Sequence, residues 1–219
     1  MDRQTSSSTK DRILSAAEEL FAQQGFAGTS LRQVTGKANV NIAAVNYHFG
    51  SKENLINEVF RKRMDEMSSQ RLAQLDQALS HSPVSLEAIL AAFIEPPLAL
   101  AQGDAADNAF VRIIARAYAE NIVSLRHFLH NRYGHVLHRF AIALSECLPS
   151  LGKEELYWRL DFVAGALTYA MADFGSAKYS LDAAEPSFSP ARTTCELIRF
   201  ASAGLRATSS PTSATRGLR

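Results

Sequence analysis

Residues 29–55 read TSLRQVTGKANVNIAAVNYHFGSKENL, and the order of polar caps and apolar positions in this stretch decides the fold. Thr29 or Ser30 can cap a helix, and Ser30-x-x-Gln33 has the spacing at which a hydroxyl and an amide exchange hydrogen bonds with the first turn. That helix should end near Ala38-Asn39. Asn41 is placed to cap a further short helix over Ile42–His48, and Ser51 to cap one that begins Lys52-Glu53-Asn54-Leu55. Two helices of about two turns with a tight turn between them form a helix-turn-helix pattern. The apolar spacing of Val40, Val45, Phe49 and Leu55 marks the core of a small helical unit.

Upstream, Ser8 or Thr9 can start a helix to Gln24 with Ile13, Ala17, Leu20 and Phe21 on one face, and Gly25 is the expected stop. Downstream, the fourth helix carries Leu55, Ile56, Val59 and Phe60 and runs to about Leu79, before a break at Ser82-Pro83. Helices are expected at roughly 84–101, interrupted at Pro96-Pro97, then at 105–119, 122–148, 153–179 and 190–206. No stretch alternates with period two, so the chain reads as all-α, with polar tails at 1–8 and 208–219 that should be disordered.

Composition narrows the class. The two cysteines, Cys147 and Cys195, form neither a disulfide framework nor a zinc spacing and suit a reducing cytoplasm. The longest apolar run, Phe162 to Ala172, is 11 residues and too short to span a bilayer. Net charge is +1, but residues 1–64 hold nine Lys/Arg against six Asp/Glu. Between Glu19 and Glu53 there is no acid, while Arg32, Lys37 and Lys52 are basic. Such a segment favours a phosphate backbone as partner, although three charges also make an ordinary solvated face.

The ordered set Ile13-x-x-Ala16-Ala17-x-x-Leu20-Phe21, Gly25-Phe26, Thr29-Ser30-Leu31-Arg32, Val40-Asn41, Tyr47-His48-Phe49 and Ser51-Lys52-Glu53-Asn54-Leu55 resembles the N-terminal signature of the TetR family. The resemblance implies a three-helix DNA-binding domain over residues 9–55 and a helical ligand-binding and dimerisation domain over 56–207. The third helix would then enter the major groove with Ile42, Ala43, Ala44 and Tyr47 toward base edges, reading thymine methyl groups and shape. Arg32 matches a base-contacting position of some family members and is the candidate for guanine. Thr29, Ser30, Lys37, Tyr47, His48 and Lys52, with the N–H groups near Asn41, suit phosphate. Where most members have a phosphate-binding Tyr followed by a variable residue, this chain has Asn46 then Tyr47, and Asn46 could bond adenine or phosphate. Thr29, Ser30 and Ser51 serve as helix caps in any case.

Val45-Asn46-Tyr47-His48-Phe49, Phe110-x-Arg112-Ile113-Ile114, Leu125-Arg126-x-Phe128-Leu129, Tyr133-Gly134-x-Val136 and Leu156-Tyr157-Trp158-Arg159 are similar to the branch of the family that responds to long-chain fatty acids or acyl-CoA. An apolar effector would then lie among Phe110, Ile114, Phe128, Tyr133, Phe140, Trp158, Phe162 and Met171, each of which also fits plain core packing. Arg112, Arg116 or Arg159 could meet a charged head group or form a surface ion pair. Small residues Ala164, Gly165 and Ala166, with Ala201, Ala203 and Gly204, permit close helix pairing across a two-fold axis in a homodimer. A two-fold protein implies a pseudo-palindromic double-stranded operator.

His127, His130, His135 and His138 share one helix face but spread too far along it for a single ion, so a solvated face is expected, with no metal and no cofactor. No Gly-x-Ser-x-Gly, phosphate-cradling loop or paired His-Glu motif points to an enzyme. The competing reading is a helical lipid-binding or interaction module that does not bind operator DNA.

Overall fold

The computed structural model describes residues 8–172 and 190–208. Among these the chain forms nine helices and no strand: α1 (Thr9–Gly28), α2 (Leu31–Ala38), α3 (Ile42–Phe49), α4 (Lys52–Leu79), α5 (Leu86–Leu100), α6 (Ala105–Glu120), α7 (Val123–Cys147), α8 (Lys153–Met171) and α9 (Pro190–Arg206). The expected tails at 1–8 and 208–219 fall outside the described residues, save Ser8 and Thr208, as does the expected end of the eighth helix at 173–179.

Local chemistry fixes most helix starts. Ser8, Ser30, Asn41, Ser51, Ser85 and Asp104 each accept a hydrogen bond from a first-turn N–H, supplying partners that the helix itself lacks. At Ser30 the reciprocal bond from Gln33 is also present, so the capping box is complete. Asn39 closes α2 in the left-handed region at φ 52°.

Two expectations about breakers change. Gly25 leaves helical geometry (φ 76°, ψ 176°), yet the chain resumes one more turn to Gly28, so the expected stop is a kink. Pro96 and Pro97 lie inside α5, which runs on to Leu100. The second proline removes the N–H that would bond the Phe93 carbonyl. Arg71 replaces it, its Nε donating to that carbonyl at 2.8 Å, which is why the helix tolerates the pair.

Two apolar cores result. The first joins Ile13, Phe21, Val34, Val45 and Leu55 to Phe60 of α4, Phe110 and Ile113 of α6, and Leu125 of α7. The second packs Leu75 of α4 with Ile89, Leu90 and Ile94 of α5, Phe140 and Leu144 of α7, and Leu156 and Leu160 of α8. Each such side chain contributes about 1.5–3 kcal/mol when fully buried. Helix α4 serves both cores, and α6 inserts into the N-terminal one.

Candidate nucleic-acid interface and an apolar cavity

Helix α3 is held by its inner residues Val45 and Phe49, both buried, and by the Asn41 cap, whose Oδ1 accepts from Ala44 N–H at 2.9 Å. Its outer face is left to solvent: Ile42, Ala43, Asn46 and His48 are exposed, Ala44 is half-buried, and Tyr47 is 86% exposed. Tyr47 is nearly bare and Ile42 is 44% exposed, so the outer face of this two-turn helix offers apolar surface to a partner. Beside them stand Arg32, exposed with no hydrogen bond from its guanidinium among the described residues, and Ser30, exposed. Lys52 is half-buried in the first turn of α4.

Two predicted contacts are used differently. Thr29 is only 1% exposed, and its hydroxyl donates to the Gly25 carbonyl at 2.8 Å, so it closes the α1 kink and faces away from any phosphate. Lys37 pairs with Glu19 at 2.6 Å, which holds its ammonium against α1.

The kink at Gly25 strips hydrogen bonds from both sides of the break, and α6 restores them. Glu120 accepts from the N–H groups of Phe26 (3.0 Å) and Ala27 (2.9 Å). Arg116 donates to the carbonyls of Ala22 (3.1 Å) and Gln23 (2.8 Å). Nearby, Arg63 of α4 reaches Asp107 of α6 at 2.8 Å and Glu18 of α1 at 3.5 Å. Burial raises the Glu18 carboxyl pKa despite the adjacent guanidinium. Three helices are thus tied by polar groups where the two cores meet.

The other face of α6 borders a cavity of about 390 Å³ between α4, α5, α6, α7 and α8. Its wall includes Phe60, Met64, Met67, Phe93, Ile114, Ala117, Leu125, Leu129, Ala164, Leu167 and Met171. Of the eight apolar residues expected around an effector, Ile114 and Met171 line it. Phe110 and Phe140 are fully buried core, and Phe128 packs against the N-terminal core. Tyr133 donates its hydroxyl to Asp65 at 2.7 Å, and burial with that carboxylate pushes its pKa up to about 12. Trp158 and Phe162 are 58% and 67% exposed on the outside of α8.

The head-group candidates are also elsewhere: Arg112 is exposed, Arg116 serves the kink, and Arg159 donates to the carbonyls of Gly204, Leu205 and Ala207 at the end of α9. The cations on the cavity wall are Arg71 and Arg126, neither of them among the expected head-group partners.

Of the small residues expected at a dimer interface, Ala164 lines the cavity and Ala201 is buried core, whereas Gly165, Ala203 and Gly204 are exposed and Ala166 is half-buried. The exposed side of α8 carries Trp158, Phe162, Gly165 and Tyr169 at i, i+4, i+7 and i+11, and α9 adds Phe200, 67% exposed. His127, His130, His135 and His138 are all exposed on α7, and His138 meets the Tyr157 hydroxyl at 3.3 Å. Among the described residues no single helix is long and apolar enough to cross a membrane.

Residues 13–59 match the family described as bacterial regulatory proteins, tetR family, and residues 91–204 match the tetracyclin repressor-like C-terminal domain. The probable helix-turn-helix transcriptional regulator YttP of Bacillus subtilis is 44% identical over 57 residues, covering 24% of this chain and 28% of that protein. The match therefore spans under a third of that relative. A tetR-family regulator from Shewanella sp. PV-4 superposes with a TM-score of 0.61 at 20% identity, covering 88% of this chain and 97% of the other. The regulator FadR of Bacillus subtilis, solved with stearoyl-CoA, gives 0.62 at 14% identity over 88% and 97%. At these identities the structural likeness shows the fold.

Proposed function

From the premise that the chain belongs to the TetR family of bacterial regulatory proteins, we propose that it is a homodimeric DNA-binding repressor released by a small apolar effector. The observation that carries this reading is the bare outer face of α3, with Ile42 and Tyr47 exposed on a segment free of acids. Ile42, Ala43 and Ala44 would meet base edges, Arg32 a guanine, and Ser30, Lys37, Asn46, Tyr47, His48 and Lys52 phosphate. Lys37 would exchange Glu19 for phosphate on binding. A chromosomal partner places its work in the cytoplasm.

The two readers are joined by the exposed stripes of α8 and α9, whose apolar side chains pair across a two-fold axis. That spacing is what an effector changes. Ile114, Ala117 and Tyr118 of α6 line the cavity, while Arg116 and Glu120 of the same helix hold the α1 kink. A ligand that shifts α6 pulls α1, and with it α3, away from the separation of about 34–36 Å that one helical turn of DNA demands. A long-chain fatty acid or acyl-CoA is the proposed effector, supported by the apolar cavity and by the stearoyl-CoA in the similarly folded FadR. Control of fatty acid metabolism would follow.

The test is an electrophoretic shift on the chain's own upstream DNA, across a salt series, with and without long-chain acyl-CoA. A steep salt slope and loss of the shift on adding effector are expected. No binding to duplex DNA at low salt overturns the repressor reading and leaves a lipid-binding module.

A further inference from the structure

The cavity wall is apolar except at a few points, and one of them is a cation without a carboxylate. Arg71 comes off the middle of α4 and lies over the Phe93 ring, its guanidinium carbon 4.1 Å from the centroid. Its Nε is committed to the Phe93 carbonyl at 2.8 Å, the acceptor freed by Pro97. The two Nη groups make no hydrogen bond or ion pair with any described residue, and the side chain borders the cavity. Burial, opposed only in part by the nearby Tyr118, pushes the Arg71 pKa down to about 10, well above neutrality, so the group stays a cation.

A charge held this way is expensive to a fold unless something pairs with it. Ring and carbonyl fix the guanidinium plane while leaving its outer edge of N–H donors open, the geometry that receives a carboxylate through two parallel bonds. The second cation on the wall, Arg126, is exposed and already donates to the Asn121 side chain at 2.7 Å, so it is the weaker anchor. Size gives a further limit. About 390 Å³ is near the lower end of ligand sites, and at roughly 30 Å³ per water-sized atom it holds on the order of a dozen non-hydrogen atoms.

We infer that the effector is a medium-sized apolar monocarboxylate whose free carboxylate enters the cavity and pairs with Arg71. This rests on the cavity being the effector site and replaces the long-chain acid or acyl-CoA by a shorter free acid, because the cavity is small and an acyl thioester carries no charge at that position and has its anionic groups on a bulky head outside. The carboxylate loses part of its water, but it meets a donor edge that ring and carbonyl already hold in position, so little further ordering is required.

The probes are sodium decanoate, decan-1-ol and decanoyl-coenzyme A, titrated calorimetrically into the full-length dimer, with operator release followed in parallel. Decanoate should bind at least about ten-fold tighter than decanol. Arg71→Gln should erase that preference and leave decanol unchanged, Arg71→Lys should keep part of it, and Arg126→Gln should reduce it less than three-fold or so. Equal binding of acid and alcohol to the unsubstituted protein overturns the inference, and that comparison holds even if the Arg71 variants fail to fold. Loss of the preference in Arg126→Gln but not in Arg71→Gln overturns it too, as does tighter binding of the thioester that Arg71→Gln leaves intact. The two readings separate cleanly: decanoate bound through Arg71 without DNA release removes the effector role and keeps the anchor. Acid and alcohol releasing DNA equally well removes the anchor and keeps the effector site.

Discussion

Gly25 adopts φ 76° and ψ 176°, a region that residues with a Cβ rarely enter. A methyl group there would also collide with the Glu120 carboxylate. Gly25→Ala should therefore cost about 1–3 kcal/mol of stability, read as a lower urea midpoint with an unchanged slope. The sequence marks this glycine as a breaker, and the family resemblance implies a phosphate contact for Thr29, four residues on. Caps such as Ser30 and Asn41 depend on partners within three residues and are legible for that reason, whereas Thr29 turns inward because the kink presents it with the Gly25 carbonyl. On the reader face the substitutions divide by what they touch. Arg32→Ala should lower discrimination between operators by about 1–3 kcal/mol, while Lys52→Ala should weaken all duplexes alike and reduce the salt slope by about one. Binding isotherms on matched and mismatched operators at several salt concentrations separate the two; equal losses on every sequence for both variants would remove the guanine assignment.

Between helices, polar clasps do what apolar packing cannot, which is to fix one orientation. Glu87 of α5 accepts from Ser202 Oγ at 2.6 Å and from Arg206 of α9. Arg206 first, and then Ser202, hold the Glu87 carboxyl down to about 2 against an ordinary 4.5. The folded pKa lies below the unfolded one, so the clasp stabilises fully above about pH 4.5 and its contribution fades as pH falls toward 2. Melting temperatures of the protein and of Glu87→Gln should differ at pH 6, draw together below about pH 4.5 and meet only near pH 2; parallel curves would show that the carboxylate is not what stabilises the contact. The α6–α1 clamp has a different expected signature. Glu120→Ala leaves the N–H groups of Phe26 and Ala27 without their partner, so operator binding should persist while release by effector is weakened several-fold in a shift titration. These clasps join residues about a hundred positions apart, and no spacing rule reports them. Arg71 is hidden in the same way, 22 positions from its acceptor: its value to α5 appears only once α4 lies beside the carbonyl that Pro97 frees.

At the scale of the whole molecule, periodicity gives the nine helices of the described residues and their order, because a helix's apolar stripe is written in its own residues. It could not say which apolar residues face a core, a cavity or a second copy. Helix α8 shows the difference: it carries the longest apolar run, Phe162 to Ala172, yet one side is open in the single chain. Leu160, Val163 and Leu167 are buried in the core, while Trp158 and Phe162 remain more than half exposed and Tyr169 half exposed, as Phe200 of α9 also remains 67% exposed. Ala164 and Met171, at the boundary, meet the cavity. Trp158 and Phe162, expected around an effector, thus become candidates for the surface that covers α8 in a dimer. A two-fold axis presents every residue of that surface twice, so a single substitution acts on both halves of the contact. Phe162→Glu would bring two carboxylates into the region where apolar side chains are buried, at a desolvation cost that several kcal/mol of lost aromatic burial compounds. The variant should run as a monomer by light scattering at micromolar concentration and keep its helical circular dichroism, since Phe162 supports neither core. Its affinity for a full operator should drop to that for a half-site, because the second reader no longer arrives tethered to the first. A dimer that survives Phe162→Glu with operator affinity intact would move the interface off this face of α8.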